Sequence, residues 1–126
     1  MKTVWTWSAA LMAAGVLVAC GGNDGDGYGS VAVSASTNRV AISSGRLTQS
    51  VANDVARDEC DADDCKVVLQ FEECGAAAQG ILAGALLITA GEGNTAFRAQ
   101  SAAIDACTAK GATACNQIPN IEAKCN

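Results

Sequence analysis

The chain has 126 residues, room for one domain, with 8 Lys+Arg against 13 Asp+Glu, no His and seven Cys. Half of it is apolar, yet only Trp5, Trp7, Tyr28, Phe71 and Phe97 are aromatic. A net charge of −5 lacks the basic footprint of a nucleic-acid binder. The lack of His excludes Ser-His and Cys-His catalysis and imidazole metal ligation.

Residues 1–19 read as an export signal. Lys2 is their only charge, and Val4 to Ala19 is uncharged and mostly apolar. The stretch falls short of the roughly 20 apolar residues that a membrane span needs. It ends in Leu17-Val18-Ala19-Cys20, which fits the lipobox of bacterial lipoproteins, where the Cys thiol is lipidated and becomes the new N-terminus. Residues 20–27, with Gly21-Gly22-Asn23-Asp24-Gly25-Asp26-Gly27, read as a flexible tether. Lipidation gives several acyl chains, and two or more hold a protein stably on a bilayer. The expected address is therefore the bacterial envelope, with a membrane held through the lipid on Cys20. Gly at position 21 favours the periplasmic face of the outer membrane over the inner membrane, by likeness to enterobacterial sorting. Loss of Lys2 leaves seven cationic against 13 acidic residues, a net charge of −6.

From Tyr28 onward one unit occurs twice. Ser30-Val31-Ala32-Val33-Ser34 alternates, Ser36-Thr37-Asn38 offers a turn, and Arg39-Val40-Ala41-Ile42-Ser43 alternates again, as a hairpin requires. Thr48 is a good N-cap for a helix running to Cys60. Val51, Ala52, Val55 and Ala56 are expected to form its apolar face. Asp58, Glu59, Asp61, Asp63 and Asp64 follow, five carboxylates in seven residues. A Ca²⁺ loop of EF-hand type fails there, because Lys66 stands where the turn Gly belongs. The expectation is a solvated acidic interaction loop. Lys66 to Phe71 is the strongest strand, rich in β-branched residues.

Gly75 to Gly91 carries no charge. Its glycines and flanking Cys favour a buried hairpin, turning near Gly80 to Gly84, over a membrane span. Thr95 then caps a second helix, with Phe97, Ala99, Ala103 and Ile104 as its expected apolar face and Gly111 as its stop. Asn116 to Glu122 is expected as an edge or irregular strand, because Pro119 cannot donate to a ladder. At an offset of 47, Thr48 meets Thr95, Ala52 meets Ala99, Ala56 meets Ala103 and Cys60 meets Cys107. The fold expected is a small α+β domain of two pseudo-symmetric ββαβ-like halves.

Setting Cys20 aside leaves Cys60, Cys65, Cys74, Cys107, Cys115 and Cys125, an even set that reads as three disulfides in an exported domain. No C-x2-C pair points to zinc or redox work. Six Cys allow fifteen pairings. Three per copy force at least one bond between copies. A straight strand between Cys65 and Cys74 would hold them roughly 25–30 Å apart. The pairing expected is Cys60–Cys65, Cys107–Cys115 and Cys74–Cys125.

Asp64-Cys65-Lys66-Val67-Val68, Cys74-Gly75-Ala76 and the leading Tyr28-Gly29 resemble the secreted bacterial domain of unknown function 4189 over residues 28–126. Members of that family often place Trp in the hairpins. Here Ala41-Ile42-Ser43-Ser44 and Leu86-Leu87-Ile88-Thr89 stand there, and no Trp follows Trp7. The resemblance implies no activity and no cofactor. Glu72 and Glu73, adjacent on an expected strand, point to opposite faces and make no acid–base pair. No catalytic or metal residue is expected. The function expected is a non-catalytic binding module with an unknown protein partner. Its alternatives are an inhibitor or immunity protein, acting through the acidic loop against a basic envelope-targeting effector, or an enzyme of unrecognised type.

Overall fold

The computed structural model describes residues 27–126. The expected leader, the expected lipobox with Cys20 and the expected tether up to residue 26 lie outside them. The elements run β1 (Tyr28–Val33), β2 (Val40–Arg46), α1 (Gln49–Cys60), β3 (Lys66–Phe71), β4 (Cys74–Leu82), β5 (Ala85–Gly93), α2 (Ala96–Ala109), β6 (Thr113–Gln117) and β7 (Lys124–Cys125). This is the α+β plan of two ββαβ halves. Each half puts its first strand in the middle of an antiparallel sheet, with orders β2-β1-β3 and β5-β4-β6. β7 pairs with the start of β4.

Four layers result. The sheets face each other across Val31, Ile42, Phe71 and Ala77, with Leu69, Ala90, Ile118 and Ile121 packed around them. The outer face of each sheet carries its helix. Ala56 and Cys60 of α1 pack on Ala32, Ala41 and Cys65. Ala99 and Ala103 of α2 pack on Cys74, Ala76 and Ala78.

The helices begin where a hydroxyl satisfies their free N–H groups. Thr48 accepts from Val51 N–H and Thr95 from Arg98 N–H, each at 3.1 Å and from an extended backbone. Gly111, at φ +90°, ends α2. The buried stripes are Ala52, Ala56 and Cys60, then Ala99, Ala103 and Cys107. Val51 and Phe97 do not join them. Val51 is 45% exposed and Phe97 78%. The reason is the closeness of helix to sheet. Thr89 Oγ1 and Ser43 Oγ each donate at 2.7 Å to a helix carbonyl, of Ala103 and Ala52. A Cβ on Gly91 would stand 2.3 Å from Ala103 N. Only Ala and Cys fit such a seam, so the larger side chains turn outward.

The three disulfides are Cys60–Cys65, Cys107–Cys115 and Cys74–Cys125, the pairs expected from the repeat. The first two close the loop after each helix, and the third fastens β7 to β4.

Two boundaries differ from expectation. The strand that follows α2 is Thr113–Gln117, starting three residues before the expected Asn116 to Glu122. It pairs with Ala78, Gln79 and Ile81 of β4, beside Cys115 and its bond to Cys107. Pro119 falls after it, and Ile118 and Ile121 plug the core between the sheets. The charge-free stretch forms a hairpin turning at Ala83-Gly84, but its tip is not buried. Ile81 to Leu86 are exposed, because the burial given by the other layers stops near Gly80. Among the described residues no helix is long and apolar enough to cross a membrane.

Candidate functional site: an acidic groove on the seam between the halves

Phe71 is fully buried where the halves meet. Its ring is clasped by two glycines. A Cβ on Gly29 would come within 2.2 Å of the ring, and one on Gly75 within 2.3 Å. These are the glycines of the Tyr28-Gly29 and Cys74-Gly75-Ala76 motifs. Each central strand therefore begins by making room for one aromatic ring.

Above Phe71 lies a groove of about 450 Å³, lined by Gln49, Gln70, Phe71, Glu72, Glu73, Glu92, Gly93 and Asn94. Three carboxylates and three amides line it, with no Lys or Arg. Both halves contribute. Gln49 opens α1, Gln70 to Glu73 end β3 and turn toward β4, and Glu92 to Asn94 lead into α2. Glu72 and Glu73 thus do not point to opposite faces of a strand. β3 ends at Phe71, and both glutamates sit in the bend before Cys74 and line the same groove.

The walls are fixed by hydrogen bonds. Asn126 N–H donates to Glu73 O at 2.9 Å, and its Nδ2 donates to Phe71 O at 3.4 Å. With Cys74–Cys125, this holds the glutamate bend from behind. Gln49 Nε2 donates to Gly29 O and to Ser30 Oγ, both at 2.9 Å. One repeat apart, Asn53 accepts from Ser30 Oγ, and Gln100 donates to Ala77 O at 2.9 Å.

A second depression of about 550 Å³ shares Glu92, Gly93 and Asn94, and runs along α2 past Phe97, Arg98, Ser101, Ala102 and Asp105. The exposed Phe97 ring thus flanks a continuous, mostly acidic trough.

The acidic loop after α1 is a different object. Asp64 is committed to the β1–β2 turn. It accepts from Ser34 Oγ at 2.5 Å, and from Ser36 N and Oγ at 3.0 Å each. The Ser34 hydroxyl foremost, then the Ser36 N–H, hold the Asp64 carboxyl below the usual Asp range. Asp61 caps α1 in the left-handed conformation and pairs with Arg39 at 3.5 Å, with both side chains largely exposed. Asp58, Glu59 and Asp63 face solvent. Among the described residues no three His, Cys, Asp or Glu side chains converge on a point that would hold a metal ion.

Sequence reasoning found this loop and missed the groove. The groove residues are scattered over the 46 positions from Gln49 to Asn94, and only the fold gathers them. The signal available was the motif glycines, since a glycine fixed at the start of two repeated strands marks a close approach.

The family described as a domain of unknown function (DUF4189) matches residues 28–121. This chain belongs to that family. The match spans β1 to the segment after β6, so both halves, Phe71 and every groove residue are family territory. No curated protein and no solved structure matches the chain.

Proposed function

We propose that this chain is an envelope-tethered, non-catalytic binding module that receives a basic segment of a protein partner in the groove over Phe71. The observation that carries the reading is the lining itself: Glu72, Glu73 and Glu92 around Gln49, Gln70 and Asn94, with no cation among them. Such a concavity favours Lys and Arg by attraction and supplies amides for backbone and hydroxyl groups. Phe97, exposed beside it, adds an aromatic surface of the kind that anchors protein contacts.

The non-catalytic part rests on the side chains at hand. There is no His in the sequence. The buried hydroxyls of Ser30, Ser34, Ser43 and Thr89 are each engaged in a structural hydrogen bond. The tether rests on Leu17-Val18-Ala19-Cys20 and the Gly-rich stretch after it. The expected address is the periplasmic face of the outer membrane. An inhibitor or immunity protein meeting a basic effector is the form of this reading that the acidic concavity favours.

Two measurements test it. Cys20→Ala in the full chain should abolish membrane fractionation, and an unchanged membrane fraction would contradict the anchor. Capture of partners from envelope extract by the full-length protein should fall steeply as salt rises. Capture that is indifferent to salt, or turnover of an envelope substrate with no protein captured, would contradict the binding role.

A further inference from the structure

A sheet edge offers unpaired N–H and C=O groups to any extended strand, and proteins guard such edges with charge, bulges or shortness. β2 is flanked by Arg39, carries Arg46 and has a register break opposite Tyr28 to Ser30. β3 opens on Lys66 and has a register break of its own. β6 is five residues long with a shifted ladder and Ala114 at φ +55°. β5 has none of these devices. It runs nine residues in unbroken register along β4, ends the sheet, and carries no charge from Ala85 to Gly91.

The open groups can be assigned. The two-residue Ala83-Gly84 turn, with φ +53° and +83°, makes Leu82 and Ala85 a hydrogen-bonded pair. Alternation then directs the N–H and C=O of Leu86, Ile88, Ala90 and Glu92 away from β4. Among the described residues these outward groups meet no other backbone.

We propose that β5 is a self-association edge, to which β5 of a second copy adds antiparallel about a dyad at Ile88. The stretch is complementary to itself. A dyad at Ile88 pairs Leu86 with Ala90 of the second copy and Leu87 with Thr89, apolar or neutral at every step. It sets Glu92 opposite Gly84 of the other copy. The two Glu92 side chains then lie eight residues apart along the strand, about 27 Å, beyond the screening length of about 8 Å. A chain of net charge −5 thus meets itself along its longest charge-free strand edge. The two four-stranded sheets become one of eight strands, with both copies of α2 on the same face. Edge pairing alone covers less than the ~800 Å² per partner of a standard interface, so the dimer is weak and exchanging. The pairing runs beside the groove and shares Glu92 with its lining, so a dimer would place a second copy's Gly84 next to that carboxylate.

The test uses the full-length protein as isolated from cells, with its three disulfides verified by non-reducing peptide mapping. Sedimentation with matched detergent density should show the protein mass approaching twice the monomer as concentration rises. Ile88→Cys should give a disulfide-linked dimer, because a hydrogen-bonded antiparallel pair holds Cα atoms about 5.5 Å apart, within disulfide reach. Leu86→Lys, at an exposed position, should return the protein to monomer and abolish the Ile88→Cys link. A monomer at every concentration, or a dimer that Leu86→Lys leaves intact, overturns the proposal.

Discussion

Gly75 lies so close against the Phe71 ring that a Cβ there would stand 2.3 Å from its edge. Overpacking of this kind costs about 1–3 kcal/mol. Gly75→Ala should therefore lower the urea midpoint, and Gly29→Ala should do at least as much, since its Cβ also meets Ser43 O at 2.7 Å. The ring is the cause, so shrinking it must relieve the clash. Gly75→Ala/Phe71→Leu should lose less than the sum of the single variants by more than about 0.5 kcal/mol. Additive losses would mean the glycine matters for another reason.

The disulfides are not equivalent. Cys74–Cys125 spans 51 residues, Cys107–Cys115 spans 8 and Cys60–Cys65 spans 5. On loop-closure entropy these contribute about 4, 2.5 and 2 kcal/mol. Paired Cys→Ala variants should lose stability in that order in thermal unfolding. Removal of Cys74–Cys125 should also loosen the Glu72-Glu73 bend, seen as faster amide exchange at position 74 and at Gly75.

The repeat makes a symmetric prediction. Thr48→Ala and Thr95→Ala remove the same cap from the same backbone geometry. Each should cost about 1 kcal/mol. A clear difference between them would show that the two helices are not equivalent in packing.

Asp64 gives a pH dependence with a definite sign. Its carboxyl sits below the ordinary value in the folded state because Ser34 and Ser36 donate to the ionised form. The stabilisation is complete above the unfolded pKa of about 3.9. It is lost as pH falls through the lower folded value. The stability gap between the natural chain and Asp64→Asn should be constant from pH 7 to 5 and close below pH 4. A gap that does not narrow at all as pH falls below 4 would remove the carboxylate from the explanation.

Local signals carried the two halves. Hydroxyl caps, alternation and the 47-residue offset each act over a few residues, and Thr48, Thr95 and Gly111 stand at the helix ends as read. Side-chain direction was harder. Val51 and Phe97 are apolar and helical, yet the sheet lies too near for them, and that distance is set by Ser43, Thr89 and Gly91 on other elements. The groove was illegible for a related reason. Glu72 and Glu73 share a face only because β3 ends at Phe71, and Phe71 ends it by filling the space between Gly29 and Gly75.

The most direct measurement is photo-crosslinking in intact cells, with a photoreactive residue at Asn94 in the groove and, separately, at Asp63 in the acidic loop. A protein adduct is expected from position 94, abolished when Glu72, Glu73 and Glu92 are changed together to Lys. An adduct from position 63 alone, or one from position 94 that survives charge reversal, would contradict it.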